Sequence, residues 1–249
     1  MSILLDLSNK LAVVTGGTRG IGKSIVDKLL DSGSNVITTG KNISNIESLN
    51  KENNNPKLKY LHLDLRDDQS INNFLHQIDK LNKIDILVNN AGINILSKAI
   101  DVSDQDYKLI QKVNIDGPFK ITKKIGSKMI LNKNGKIVNV ASIWSVITKP
   151  ERSAYTTSKF ALIGATKTFS VEWAKYNILV NAISPGFTIT DLTLSTNSSN
   201  EIKKIEKSIP QRRMAKPDDI ANGVLFLVSD LNNYITGQNL IIDGGFTQI

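Results

Sequence analysis

Short apolar runs rich in β-branched residues alternate along the chain with longer segments whose apolar residues recur every three or four positions. The short runs are typical of buried strands, and the three-to-four spacing is typical of amphipathic helices. The pattern predicts seven strands, at residues 11–15, 35–39, 58–63, 84–88, 136–141, 178–183 and 239–243. Right-handed crossovers through the intervening helices would make the sheet parallel, so the predicted fold class is α/β: a Rossmann-type, doubly wound sheet with helices on both faces.

The length of 249 residues suits one substantial core. Neither an internal repeat nor a Pro- or Ser-rich linker interrupts the pattern, and we predict a single domain over 1–249. Residues 191–213 are polar with one amphipathic stretch, and residues 50–56 form an Asn-rich loop.

A glycine-rich turn follows the first predicted strand, in Thr15-Gly-Gly-Thr-Arg-Gly-Ile-Gly22. Gly16, Gly20 and Gly22 would let the backbone turn tightly, approach a pyrophosphate and pack the next helix against the strand. The N-terminus of that helix would offer free N–H groups to phosphates. Taken alone, the same glycines could serve only as a tight strand-to-helix connection.

Tyr155 and Lys159 are four residues apart, so a helix would present both side chains on one face. Tyrosine has an unperturbed pKa of about 10, and a neighbouring cation lowers it by roughly 1–3 units towards neutrality. Ser142, at the end of an apolar run, could hydrogen-bond a substrate oxygen held against the same phenol. By itself, Tyr-x-x-x-Lys is also a common surface pair.

In their order along the chain, these residues resemble the short-chain dehydrogenase/reductase family in its single-domain form. The resemblance covers nearly the whole chain and rests on the loop 15–22, Asn89-Asn-Ala-Gly92, Asn114, the set Ser142, Tyr155 and Lys159, the segment 185–190 and the segment 234–245. The resemblance implies that Ser142, Tyr155, Lys159 and Asn114 are catalytic. It also implies that 191–213 is a substrate lid. The pattern is most similar to the β-ketoacyl-acyl-carrier-protein reductases.

The resemblance implies a nicotinamide cofactor and the residues that contact it. These are Gly16, Thr18, Arg19, Gly20, Ile21, Gly22, Lys41, Asp64, Leu65, Asn90, Ala91, Gly92, Tyr155, Lys159, Pro185, Gly186 and Thr188. An acid after the second strand would grip the ribose 2′-hydroxyl of NAD, but Gly40 and Lys41 stand there instead. Lys41 and Arg19 could clamp a 2′-phosphate, so NADP(H) is favoured over NAD(H).

The implied chemistry is hydride transfer between nicotinamide and a carbonyl or secondary alcohol, with Tyr155 as proton donor or acceptor and Asn114 anchoring a water near Lys159. Trp144, Ile147, Ile95 and Phe187 are pocket candidates. The sequence leaves two substrate classes open. One is a 3-oxoacyl thioester, either free or carrier-bound. The other is a keto-sugar or small secondary alcohol, for example in surface-polysaccharide synthesis. Lys133 and Lys175 lie near the reductases' basic docking patch, but Tyr176 falls where an arginine is expected. A non-catalytic cofactor sensor is the third alternative, although the intact Ser142, Tyr155 and Lys159 set argues against it.

Composition narrows the remaining classes. The chain has no cysteine, and His62 and His76 lack acids at ligand spacing, so we expect no metal site. The basic residues behind the formal charge of +8 are not interleaved with aromatic residues as they are in nucleic-acid modules. We therefore expect no nucleic-acid partner. A basic group near the predicted lid could meet an anionic substrate: Lys203, Lys204, Lys207, Arg212 and Arg213. No apolar stretch approaches a membrane span, and a cytoplasmic protein without membrane contact is expected.

The helix that begins near Tyr155 indicates an assembly. Phe160, Ile163, Phe169 and Trp173 cannot share one stripe at 3.6 residues per turn, and a second apolar stripe is typical of a partner helix. The family pairs these helices, and its last strand with the preceding helix (here 218–243), about two-fold axes, so a homotetramer is expected.

Overall fold

The computed structural model describes residues 5–190, 193 and 198–248. Its centre is a parallel sheet of seven strands, β1 Leu11–Val14, β2 Asn35–Gly40, β3 Leu58–His62, β4 Ile86–Asn89, β5 Gly135–Val140, β6 Ile178–Pro185 and β7 Asn239–Ile242. Their spatial order is β3-β2-β1-β4-β5-β6-β7, with every neighbouring pair parallel. The predicted doubly wound α/β fold is confirmed.

Helices connect the strands: α1 Gly20–Asp31, α2 Ile43–Glu52, α3 Asp68–Asp79, α4 Asp104–Gln111, α5 Gly117–Asn132, α6 Ser153–Trp173, α7 Ser199–Ser208 and α8 Pro217–Val228. A π-helix, Lys112–Asp116, joins α4 to α5, and short 3₁₀ turns lie at Ala99–Asp101, Ile143–Ser145, Ala174–Tyr176 and Phe246–Gln248.

Two buried clusters cover the two faces of the sheet. On one face, α3, α5 and α6 contribute Ile71, Phe74, Ile121, Ile125 and Phe169 to a cluster that also holds sheet residues. On the other face, α1 and α8 bury apolar side chains at helical spacing, including Ile25, Leu29, Ile220, Val224 and Leu227. Helices on both sides leave the sheet strands buried on both faces, as their unbroken apolar runs predict.

The order of the strands reverses direction between β1 and β4, which both pair with neighbours at the centre of the sheet. In open parallel sheets, the crevice outside the carboxyl ends of strands at such a switch point is where ligands bind. The glycine turn after β1, the loop after β4 and the loop after β5 all leave the sheet at this edge. The fold therefore brings the predicted motifs to one side of the sheet.

Strand limits differ from the prediction by a few residues. β4 begins at Ile86 rather than at 84, and β6 runs on to Pro185, beyond the predicted end at 183. Of the predicted lid 191–213, residues 191, 192 and 194–197 lie outside the described residues, and the rest consists of α7 and the segment that leads towards α8. Within the described part of the chain, no helix is both long enough and apolar enough to cross a membrane.

Candidate active site

The glycine turn is braced by side chains from β2 and from the loop after β4. Asn90 Nδ2 donates to the carbonyl oxygens of Thr15 and Gly16, both at 3.0 Å. Thr15 Oγ1 accepts the backbone N–H groups of Asn90 and Ala91, at 3.0 and 3.1 Å, and Thr39 Oγ1 accepts that of Gly16 at 3.1 Å. Asn90, which the family resemblance assigns to the cofactor site, thus also fixes the shape of the turn.

The turn leaves no space for side chains at its closest point. A Cβ on Gly22 would lie 2.2 Å from the Gly16 carbonyl oxygen and 2.5 Å from Asn90 Nδ2. Gly16 and Gly20 have positive φ angles, +69° and +55°, which favour glycine. Helix α1 begins at Gly20, so its first N–H groups face this narrow backbone cradle. The cradle fits a dinucleotide pyrophosphate, whose chemistry requires close backbone approach and N–H donors.

The end of β2 carries cations and no acid. A Cβ on Gly40 would lie 2.9 Å from Thr18 Cγ2, so the position expected for a ribose-binding acid is closed by the glycine turn. Lys41 and Arg19 are both exposed beside it. Asp64, which the family resemblance places at the adenine, is bound by Arg66 at 2.5 Å, and this contact lowers the pKa of its carboxyl most strongly.

Asn114 lies in the π-helix and is buried. Its Nδ2 donates to the Ile93 carbonyl oxygen at 2.9 Å and to Ser158 Oγ at 3.0 Å, and its Oδ1 accepts the Ile93 N–H at 2.9 Å. Both amide hydrogens are therefore taken, and a water anchored by this side chain would have to donate to the second lone pair of Oδ1. Single π-helical turns are frequent at functional sites.

Ser142 and Tyr155 meet at the carboxyl end of β5. Ser142 caps the following 3₁₀ turn, and a hydrogen bond between its side chain and the Tyr155 phenol lowers the phenol's pKa. Burial acts in the opposite direction and dominates, so the pKa of Tyr155 is raised above its usual value. The charge of Arg152 is a second influence that lowers the pKa of the phenol.

Lys159 is 4 % exposed on the buried face of α6. Its Nζ donates to the Val140 carbonyl oxygen at 3.0 Å and lies 5.5 Å from the centroid of the Tyr155 ring. Burial lowers its pKa to about 8. A Cβ on Gly92 would lie 3.2 Å from Asn114 Oδ1 and 3.5 Å from Lys159 Nζ, so the glycine keeps the space between these groups open.

The remaining predicted contacts lie around the same crevice. Pro185 ends β6, a Cβ on Gly186 would lie 2.7 Å from Asp243 Cα, and the buried Thr188 donates to the Gly186 carbonyl oxygen at 3.1 Å. Ile21 packs against the α1 side of the sheet, and Leu65 is buried with its Cδ2 close to Gly117. Pro185, Gly186 and Thr188 thus lie at the carboxyl end of β6, on the same edge of the sheet as the glycine turn.

The sequence analysis did not predict a role for Lys149 and Arg152, two basic residues shortly before Tyr155 in the chain. Lys149 Nζ and Arg152 Cζ each lie 5.6 Å from the centroid of the Trp144 ring. Trp144 packs edge-on against Phe187, which packs edge-on against Phe246 in the wall of a cavity of about 650 Å³. The only sequence signal was two cations in Lys149-Pro-Glu-Arg152, just before the helix of Tyr155.

Comparison with known proteins agrees with this geometry. A family model described as Enoyl-(Acyl carrier protein) reductase matches residues 16–247. The 3-oxoacyl-[acyl-carrier-protein] reductase FabG of Aquifex aeolicus (strain VF5) is 40% identical over 246 residues, which cover 97% of this chain and 98% of that protein. An NAD-dependent glycerol dehydrogenase of Listeria innocua is 37% identical, over 97% of this chain and 95% of that protein.

Among solved structures, a gluconate 5-dehydrogenase from Burkholderia cenocepacia J2315 in complex with NADP and tartrate superposes with a TM-score of 0.90. It is 26% identical, and the match covers 99% of this chain and 98% of that one. The predicted family and the predicted enzyme class are both confirmed. The chain belongs to the short-chain dehydrogenase/reductase family, and the relatives named above are oxidoreductases that act on carbonyl or alcohol groups.

Proposed function

We propose that the protein reduces the ketone of a 3-oxoacyl thioester with NADPH. The observation that carries the chemistry is the buried Lys159 ammonium beside the Tyr155 phenol, with Ser142 near enough to that phenol to lower its pKa. The similarity to a 3-oxoacyl-[acyl-carrier-protein] reductase over almost the full chain supports this choice of substrate.

Each side chain has a role that follows from its position. Ser142 orients the substrate oxygen, and Tyr155 donates its proton to that oxygen as negative charge develops there. A phenol with a raised pKa stays protonated at neutral pH, which suits the reductive direction. Lys159 holds positive charge against the phenol and would bind the ribose hydroxyls of the cofactor, while the bound nicotinamide supplies the hydride.

We further propose NADP(H) as the preferred cofactor. The exposed Lys41 and Arg19 would form charge-assisted hydrogen bonds to a 2′-phosphate, and the closed position at Gly40 excludes the acid that would repel it. The NADP-bound gluconate dehydrogenase supports this assignment, whereas the glycerol dehydrogenase is NAD-dependent. The proposed roles of the other cofactor residues are those given by the sequence resemblance.

Oxidation or reduction of a small polyol or sugar acid is the second candidate. Similarity to glycerol and gluconate dehydrogenases supports it. In addition, the position expected to carry a docking arginine is Tyr176, whose ring is covered by Lys175 Nζ at 5.1 Å from the centroid. The segment 191–213 is the proposed lid for either substrate, within a single domain.

A substrate panel tests the proposal. Oxidation of NADPH is followed with acetoacetyl-CoA, keto-sugars and simple ketones, and the reverse reaction with glycerol and gluconate. We expect the highest kcat/KM for the thioester. Turnover of a polyol or sugar acid without turnover of any thioester would replace the proposal by the second candidate.

We also propose a cytoplasmic homotetramer. Phe169 and Trp173 of α6 are buried inside the chain, where their rings stack at 4.5 Å, but Phe160 is 48 % exposed and Val171 is 80 % exposed. Leu231 and Leu240, near α8 and on β7, are exposed as well. These two apolar surfaces suit the two pairings expected from the family. Light scattering should give four times the chain mass of 27.4 kDa, and a mass of one chain would refute the assembly.

A further inference from the structure

Two cations converge on one aromatic ring in the loop that joins β5 to α6. Lys149 Nζ lies 5.6 Å from the Trp144 ring centroid and 6.0 Å from that of Phe187, and Arg152 Cζ lies 5.6 Å from the Trp144 ring centroid. The backbone N–H of Trp144 donates to Ser142 Oγ at 3.3 Å. The two cations therefore lie against the ring of a residue whose backbone contacts Ser142, the side chain proposed to orient the substrate oxygen.

The charges of Lys149 and Arg152 are not neutralised within the described part of the chain, where neither forms an ion pair with an acid. Burial lowers the pKa of both groups, and the charge of Arg152 lowers that of Lys149 further, because the two cations repel each other. Glu151 opposes this effect on both, but its side chain is exposed. An arrangement of this kind is stabilised when an anion binds between the cations.

Arg152 also has an unused donor. Its Nε is buried and has no hydrogen-bond partner among the described residues. Buried donors are nearly always paired in folded proteins, so an unpaired one requires a partner that the chain itself does not supply. A guanidinium edge that includes Nε is the donor geometry that binds a carboxylate or phosphate through two parallel hydrogen bonds.

The backbone between the two cations is strained. Glu151 has a φ of +68°, in the left-handed region that residues other than glycine seldom adopt, and its carbonyl oxygen accepts the Ser97 N–H at 3.3 Å. Strain of this kind collects at ligand sites, where the surrounding structure maintains it. The turn at Glu151 is thus a second, independent feature of the same place.

The adjoining cavity continues the positive surface outward. It is lined by Ile147, Lys207, Ser208, Pro210, Arg212 and Phe246. Arg213, by contrast, is bound to Asp219 at 2.6 Å and does not line it. Of the basic group near the lid, Lys207 and Arg212 therefore line the cavity, whereas Arg213 does not.

We infer that Arg152, assisted by Lys149, binds an oxyanion of the substrate close to the reacting carbonyl. The inference rests on the proposed catalytic residues rather than on the thioester, and it favours an oxo or hydroxy acid, as in the second candidate function, as the substrate. Arg152 is the N-cap of α6, three residues before Tyr155, and its guanidinium packs over Trp144, two residues after Ser142, so a group bound to it lies close to the substrate oxygen. A carboxylate meets this requirement in a short oxo acid, whereas the phosphate of a carrier arm, at the far end of a long chain, would reach Lys207 and Arg212 instead.

Kinetics with substrate pairs matched in shape and unlike in charge test the inference. The pairs are acetoacetate with methyl acetoacetate, and acetoacetyl-CoA with acetoacetyl-N-acetylcysteamine. The variants are Arg152→Gln, the charge-retaining Arg152→Lys, and Lys59→Gln as a control for loss of one exposed positive charge on the edge strand β3. We expect Arg152→Gln to lower the acid-to-ester ratio of kcat/KM about ten- to a hundredfold, chiefly through KM, with partial recovery in Arg152→Lys and no change in Lys59→Gln.

The ester separates direct binding from an effect on Tyr155. Removing the charge of Arg152 raises the pKa of the phenol, which for reduction would extend activity to higher pH and change the rates with acid and ester by the same factor, so the acid-to-ester ratio does not report it. An equal loss with acid and ester, or an unchanged ratio, would overturn the inference. A loss confined to the CoA-to-N-acetylcysteamine ratio would assign the subsite to a phosphate and overturn the carboxylate assignment.

If the protein turns over none of the four compounds, a binding measurement still tests the subsite. Malonate and its dimethyl ester are titrated into the NADP complex of the wild type and of Arg152→Gln. Malonate should bind to the wild type at least tenfold more tightly than to the variant, and equal binding would overturn the subsite. Failure of both thioesters alone would overturn only the proposed 3-oxoacyl thioester activity, because the acid and ester comparison does not depend on it.

Discussion

In the glycine turn the polar groups are held by the protein itself, whereas on the substrate side they are not. Asn90, Thr15 and Thr39 fix the backbone of the turn through five hydrogen bonds. Around Trp144, by contrast, Arg152 Nε has no partner among the described residues and Lys149 lies beside a like charge. We infer that the half proposed to bind the cofactor is rigid before its ligand arrives, and that the half proposed to bind the substrate keeps donors and charge for its ligand.

This difference agrees with two separate requirements in the family, a common one for dinucleotide binding and a variable one for substrate recognition. A phosphate cradle must present backbone N–H groups in one geometry, and glycine and asparagine provide that geometry for any dinucleotide. Substrate recognition varies between relatives that act on acyl thioesters, glycerol and gluconate. The residues that determine it in this chain are therefore expected among the unsatisfied groups rather than among the motifs.

The largest effect is expected from breaking the rigid half. Gly22→Ala places a Cβ 2.2 Å from the Gly16 carbonyl oxygen and must distort the cradle. We expect loss of NADPH affinity by at least tenfold in a fluorescence titration. Lys51→Ala is the control, since this exposed lysine lies in the last turn of α2 and outside the cradle. Equal NADPH affinity in the two variants would contradict a rigid cradle.

Lys159→Met tests the charge at the boundary between the two halves. We expect kcat to fall by about 10²-fold or more, since the cation that stabilises the developing phenolate is lost. The same variant should be more stable at pH 7, by on the order of 2 kcal/mol, because burial lowers the pKa of Lys159 from 10.5 to about 8 and makes the charged form costly to bury. Urea denaturation measures this gain.

The pH dependence of that stability gain has a defined sign. Between about pH 8 and 10.5 the unfolded chain holds the Lys159 proton and the folded chain does not, so wild-type stability rises with pH across this window. Lys159→Met lacks this rise, and its advantage should shrink from pH 7 to pH 10. An advantage that is absent at pH 7, or that grows with pH, would show that Lys159 is not a buried cation.

A smaller effect is expected at the exposed edge of the cofactor site. Lys41→Ala and Arg19→Ala should each lower kcat/KM for NADPH about tenfold, chiefly through KM, because a charge-assisted hydrogen bond contributes roughly 1.5–3 kcal/mol and is partly screened there. Rates with NADH should not change. Lys51→Ala, an exposed lysine at the end of α2, is the control. A wild type that prefers NADH would remove the assignment.

Local patterns predicted the fold well, because buried parallel strands have continuous apolar runs and helices such as α3 repeat theirs at Ile71, Phe74 and Ile78. Strand ends were less certain, since β6 continues through Ser184 and Pro185 for reasons set by pairing with β7. The π-helix around Asn114 has no spacing of its own, and only the contacts to Ile93 and Ser158 reveal why the turn widens there.

The residues of the candidate site likewise fall into those that the sequence could predict and those that it could not. Its motif residues could be named from their order along the chain, because the fold brings the ends of the strands together. The convergence of Lys149 and Arg152 on Trp144 depends on the left-handed Glu151 and on tertiary packing, which no local pattern encodes.

Tyr155→Phe, assayed for NADPH oxidation and for NADPH binding in the same preparation, decides whether the phenol protonates the substrate. The variant keeps the ring and loses only the hydroxyl, so NADPH should bind within about twofold of the wild type while kcat falls by roughly 10²–10⁴-fold, the usual contribution of a positioned proton donor. Turnover close to that of the wild type would contradict the account, since the phenol would then not be the group that protonates the substrate.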